Sequence, residues 1–302
     1  VGDLLDEVQL DFQNIVSQSP EQLRRHGGQW QQESRHLLQR CYELLVAPLL
    51  QGIAQATANQ SNTLQRLLIA PCYPLFLLPF AALWDGANYL VERFVIEFIP
   101  SGALLSLPPT TTEKLTTPWV ITTSAAGALA ATYREAEAIL TAFPTAIAFV
   151  DRSGAVEALM QLSDSPRFLH IAAHTILRND APLFSALQLT GEVLTVEECY
   201  ELKLVGTELV ILSGCSTAVG MESGGGLLAF QSALLAAGAQ RVLTSKWPIQ
   251  DDATAHWMTH FYQYFAQKQP APMALRQTQM LLLPDPLFSH PAHWAAFVCT
   301  CR

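Results

Sequence analysis

The stretch Leu209–Gly220 reads LVILSGCSTAVG. Its first five residues, Leu209–Ser213, predict a strand buried on both faces, because no polar residue alternates with the apolar ones. The chain then turns through Gly214 and Cys215 into small polar residues. A thiol at that place has three readings: inert packing, a metal ligand, or a nucleophile held at the lip of a sheet.

Outward from this stretch the same pattern repeats. WVITTS, AIAFVD, RFLHIAAH and RVLTSKW predict further strands, and LAATYREAEAILTAF and AVEALMQL predict helices between them. Thr195 and Glu198 have capping-box spacing at the head of the helix VEECYEL. Leu227–Ala237 predicts a helix stopped by Gly238, a long helix starts at Asp251, and another runs from Met273 to Leu283. Alternating strands and helices with nearly continuous apolar strands predict an α/β fold, a mostly parallel sheet with helices on both faces. In such sheets, sites lie outside the carboxyl ends of the strands. Upstream, residues 1–60 predict one or two amphipathic helices, and RLLIAP and FVIEFIPS predict strands around a proline-rich connection. SLPPTTTEKLTTP, Ser106–Pro118, marks the boundary between a smaller part, residues 1–113, and the regular part, residues 114–302.

Composition narrows the function classes. The chain has 302 residues, half of them apolar, and a formal charge of −9 with only 17 Lys and Arg. That argues against a nucleic-acid surface, which needs a basic patch. Leu67–Trp84 is free of charge, but Pro71, Pro74 and Pro79 interrupt it, so it predicts a strand, a turn and a helix start rather than a membrane span. No signal peptide is visible, and a chain beginning at Val1 is expected to be a piece of a longer protein. The six cysteines show no C-x-x-C pair, which predicts a reducing cytoplasm and no disulfide scaffold.

Two strands end in reactive residues. FLHIAAH ends at His174 and LVILSGC at Cys215, with one predicted helix between the strands. As neighbours about 4.8 Å apart, the strands would bring imidazole and thiol together at one edge. Histidine raises the thiolate fraction, its imidazolium protonates a leaving amine, and the Cys215 N–H can help hold an oxyanion. The alternative is packing: a lone Cys after a strand is usually buried, and His170 or His174 can be a core histidine.

FLHIAAH, LVILSGCSTA, LLAAGAQRVLTSKWPIQDDAT, FYQYF, ALRQTQ and HPAHWAAFV follow one another in one order, preceded by LPFAALWDG and FIPSGALL. In this order they resemble the CHAT family, caspase-like relatives of clan CD cysteine peptidases that often stand beside tetratricopeptide repeats. The resemblance runs from about Cys41 to the C-terminus. It implies a caspase-like sheet with a His174–Cys215 dyad, a structural His170, and a smaller, degenerate, non-catalytic caspase-like subdomain within residues 1–113. The implied reaction is attack of Cys215 on a peptide carbonyl, with His174 managing the proton and the backbone N–H groups of Thr175 and Cys215 stabilising the oxyanion. The substrate is a protein or peptide, and a repeat or other regulatory module is the expected partner.

Two positions depart from the family. Thr175 stands where the family has glycine after the histidine, and Gly224-Gly225-Gly226 lacks a central Glu. Both keep a second reading open, an inactive scaffold of the same fold. Trp247-x-x-x-Asp251 is similar to the separase branch, where the matching Asp binds a substrate arginine, and this implies cleavage after Arg or Lys; the alternative for Asp251 is a helix N-cap. No metal site and no cofactor are expected: His256 and His260 lack the Glu of H-E-x-x-H, and the glycine run lacks the Lys of a P-loop. His290 and His293 are expected to turn and pack, and Cys299 and Cys301 to lie at a fraying strand end or to form a redox pair, without sharing a face.

Overall fold

Apolar runs too short for helices become the strands of one sheet, and the longer amphipathic runs cover it. The computed structural model describes residues 2–18, 20–56, 65–72, 75–102, 117–123, 129–178, 180–214 and 224–302, with backbone alone at 20, 54–56, 129–131, 224 and 251. Three helices come first: α1 Gly2–Val16, α2 Pro20–Leu45 and α3 Ala47–Ala56. Then come β1 Arg66–Ile69, two 3-10 turns at Leu75–Leu77 and Phe80–Ala82, α4 Leu90–Arg93 and β2 Val95–Phe98. The regular part follows: β3 Trp119–Thr122, α5 Leu129–Ala142, β4 Ile147–Val150, α6 Ala155–Met160 and β5 Phe168–Ala172. Next are β6 His174–Ile176, β7 Ala186–Leu189, β8 Glu192–Thr195 and α7 Val196–Glu201. The chain continues through β9 Leu209–Ser213, α8 Gly224–Ala236, β10 Arg241–Ser245, α9 Asp251–Ala266, α10 Ala271–Leu282, α11 Pro291–Trp294 and β11 Phe297–Cys301.

Eight strands form one sheet in the order β1-β2-β11-β10-β9-β5-β3-β4. Every pairing is parallel except β10 with β11. The strands of the N-terminal part therefore extend the same sheet, joined through Thr300 opposite Phe98. Successive residues of β9 pack on opposite sides, which is why the strand reads as continuously apolar. Leu209 and Ile211 join one core with α9, α10 and the N-terminal helices, and Val210 and Leu212 join a second core with α7 and α8. The 1–113/114–302 boundary lies outside the described residues.

The helix ends follow the sequence. Thr195 Oγ1 accepts the Glu198 N–H at 3.2 Å, while the Glu198 carboxylate accepts the Thr195 N–H at 2.7 Å. Gly238 adopts φ +112° just past α8, where a side chain would press on the Val205 backbone at 2.7 Å.

Four details differ from the sequence reading, the first being that residues 1–60 hold three helices rather than one or two. RFLHIAAH is not one strand: β5 ends at Ala172, and His174 opens β6 in a separate antiparallel sheet, β6-β7-β8. The hairpin β7–β8, turning at Thr190-Gly191 with Gly191 at φ +77°, captures the chain once it leaves the two-sided core. After the prolines, the expected helix start is two 3-10 turns. Cys299 and Cys301 are buried in β11, and as alternate residues of one strand they share a face, beside Glu97 and Arg241. Burial pushes both thiols up, so neither is a fraying-end group.

Candidate active site

The site begins with strand adjacency. β5 and β9 are parallel neighbours, with Ala172 in register with Ser213. His174 is two residues past the end of β5 and Gly214 one past the end of β9. A Cβ on Gly214 would overlap the Ala173 carbonyl oxygen. Glycine is thus required where the chain leaving β9 runs against the chain leaving β5. Cys215 is the next residue and lies outside the described residues.

His174 is half-buried and opposite Gln188 in the β6–β7 ladder. Thr175, opposite Leu187, is buried in regular strand geometry and is not among the positive-φ residues, so a β-branched side chain fits where the family has glycine. Gly226 explains part of the glycine run: a Cβ there would meet the Leu177 side chain at 2.9 Å and Ser185 Oγ at 3.1 Å, so α8 packs closely on the segment that follows β6.

At the floor, Thr122 and Ser213 flank Ala172 in register on the two neighbouring strands. Both hydroxyls are buried and lack a hydrogen-bond partner among the described residues. Buried hydroxyls without a protein partner are the kind of group that an ordered water satisfies.

β10 lies next to β9, with Thr244 opposite Leu212, so the chain leaves β10 at the same edge. Trp247 donates its indole N–H to Ala292 O at 2.8 Å and packs against Phe12. α9 begins at Asp251, and Gln250 holds the N-cap position, its amide donating to the Val16 and Gln18 carbonyls at 2.9 and 3.0 Å. The side chain of Asp251 lies outside the described residues.

His170 serves the core. Its Nδ1 is 2.9 Å from Tyr262 Oη and its Nε2 3.2 Å from Glu135 Oε1, all three residues being buried. His256 and His260 meet edge to face, ring centroids 4.6 Å apart, on partly exposed turns of α9, and no cluster of metal-binding type occurs among the described residues. His290 caps α11 by accepting the Ala292 N–H at 3.1 Å, and His293 is buried beside it.

One group at this edge was missed from sequence. Lys246, the residue after β10, is buried; its Nζ donates to Leu78 O at 2.8 Å and sits 4.1 Å from the Phe98 ring, with Phe76 and Phe80 nearby. Burial, with no carboxylate partner among the described residues, holds its pKa well below the usual lysine range. A lysine between a strand and a tryptophan gives no sequence signal of such a cage, which is assembled from distant residues.

The CHAT domain description matches residues 35–302. The chain belongs to the CHAT family. Among curated proteins, this CHAT chain is 24% identical over 324 aligned residues to human tetratricopeptide repeat protein 28, covering 86% of the chain and 13% of that protein. The mouse protein is 34% identical over 105 residues, 35% of the chain and 4% of the relative. The chain thus spans a small fraction of either relative. Among solved structures, separase of the Saccharomyces cerevisiae separase–securin complex aligns with TM-score 0.56 and 14% identity, over 86% of this chain and 17% of that one. The Arg-specific cysteine proteinase gingipain R aligns with TM-score 0.52 and 10% identity, over 92% of this chain and 74% of that one. The CHAT sheet and these structures share the caspase-like fold.

Proposed function

We propose that this CHAT domain is a cysteine endopeptidase acting through His174 and Cys215. The observation that carries the proposal is the adjacency of β5 and β9, with Gly214 packed against Ala173 where both strands end. The Cys215 thiolate attacks the peptide carbonyl, the C–N bond breaks, and the His174 imidazolium gives its proton to the leaving amine. Water, deprotonated by His174, then hydrolyses the acyl-enzyme. The N–H groups of Thr175 and Cys215 are assigned to the oxyanion.

Asp251 is assigned to a basic side chain before the cut. The placement of α9's first residue after the β10 edge supports this, as does the Arg specificity in gingipain R's name. The division of labour, residues 1–113 non-catalytic and 114–302 catalytic, belongs to the same proposal. So do a cytoplasmic location and gating by a repeat or other regulatory module, in keeping with the tetratricopeptide-repeat relatives. No described helix is long and apolar enough to cross a membrane.

A fluorogenic panel with Arg, Lys, Asp and Leu before the cut tests the proposal on wild type, Cys215→Ala and Asp251→Asn. Arg or Lys cleavage that Cys215→Ala abolishes and Asp251→Asn weakens is expected; an unchanged Arg preference in Asp251→Asn reduces Asp251 to a helix-start residue. The second reading, an inactive scaffold, rests on the Gly224-Gly225-Gly226 run without its central Glu, and predicts no cleavage and no labelling of Cys215.

A further inference from the structure

β4 is the outer strand at the far edge of the sheet. β4 pairs with β3 alone among the described residues. The Ile147 and Asp151 N–H groups donate inward, to Pro118 O and Thr122 O, both at 2.9 Å. Strand alternation then turns the N–H and C=O of Ala148 and Val150 outward. No described backbone group pairs with them. Edge strands are usually guarded by charge, proline or a bulge. Thr145–Val150 reads TAIAFV, with no charge and no proline, and Ile147 is 42% exposed.

A groove runs beside this edge. Tyr133, Ala136, Glu137, Leu140, Thr141 and Val150 line an open cavity of about 500 Å³ between α5 and β4. Glu137 is the one charged group in this mostly apolar lining, and it has no ion-pair partner among the described residues. Main-chain bonding along an edge gives affinity, and pockets for alternate side chains give specificity.

We propose that the outer edge of β4 and the α5 groove dock an extended peptide segment of a partner protein, apolar in character and with one Lys or Arg set against Glu137. Carboxylates at a mostly apolar groove, Glu137 in its wall and Asp151 bonded to Tyr133 beside it, select a cation. The surface is distinct from the candidate active site, because β3 and β5 separate β4 from β9. The proposal therefore stands whether or not the chain cleaves peptides.

The probe is an acetylated, amidated nonapeptide of alternating Thr and Val with a central Lys, compared with its central-Glu twin. Fluorescence anisotropy on the full chain reads affinity, amide exchange over residues 147–150 reads the location, and sedimentation reads self-association. The Lys peptide is expected to bind about tenfold tighter than the Glu peptide, a difference that Glu137→Gln removes. Val150→Pro deletes one outward N–H, leaves the β3 ladder intact, and is expected to weaken the Lys peptide about tenfold. Ala148→Pro does the same job if Val150→Pro melts early. No saturable binding up to about 1 mM overturns the proposal, as does binding that neither proline changes. A chain dimer abolished by Val150→Pro also overturns it, because the edge would then belong to a second copy.

Discussion

Lowering the pH from 7 to 5 should destabilise the fold through two buried histidines. His290 Nε2 lies 2.7 Å from Ser34 Oγ, its Nδ1 caps α11, and burial with His293 nearby pushes it down to about 3. Burial pushes His293 down to about 4, and neither of its ring nitrogens has a hydrogen-bond partner among the described residues. In the unfolded chain both return to about 6.5. Between pH 6.5 and the folded values only the unfolded state takes the protons, so stability falls as the pH falls. From pH 7 to 5 each group costs about 2 kcal/mol, about 4 for the pair. Spread over the unfolding entropy of a chain this size, that is a drop of about 6 °C in Tm. Asp11, 4.0 Å from His290 Nε2, is raised by burial and acts in the opposite sense, around its own lower range. His256, lowered by burial, has the same sign but is partly exposed and counts for less. Scanning calorimetry at pH 7 and 5 on wild type and His293→Gln is the assay. The variant should lose about half as much Tm as wild type. Equal losses in both proteins would refute the reasoning.

Three further outcomes follow from the geometry. Gly214→Ala drives a Cβ into Ala173 O and should cost about 1–3 kcal/mol in urea unfolding; a neutral result would mean the two strand ends are not packed as described. Lys246→Met keeps the volume of the Phe76–Phe80–Phe98 cage and should leave stability unchanged or raised at pH 7, with a loss of several kcal/mol counting against it. Because the folded-state Lys246 binds its proton less tightly than the unfolded one, the stability of wild type relative to Lys246→Met should rise from pH 8 towards 10, against the fall that the buried, raised thiols impose on both; parallel pH profiles would contradict the buried amine.

The parallel sheet was legible because β3, β5, β9 and β10 are buried on both faces and leave unbroken apolar runs. The capping box at Thr195 and the stop at Gly238 were legible because each is a local geometric need. The β6-β7-β8 sheet was not, since its strands are three or four residues long and only one edge of the hairpin meets the chain after Ala173. Lys246 stands 168 positions from Leu78 and Arg241 144 from Glu97, and no local pattern announces either contact. For the site, sequence marked His174 and Cys215; the structure adds that β5, which ends two residues before His174, and β9, which ends at Ser213, are neighbours, while Cys215 lies outside the described residues. The structure also turns the apparent defect at Thr175 into an ordinary strand residue.

Labelling by an arginyl peptide electrophile, mapped by mass spectrometry on the intact chain, tests the central claim most directly. The account predicts modification of Cys215 ahead of the other five cysteines and slower labelling in His174→Ala; of those five, Cys41, Cys199, Cys299 and Cys301 are buried thiols pushed up by burial. Label mainly on Cys72, which is exposed, or a Cys215 rate unchanged by His174→Ala, would contradict the dyad.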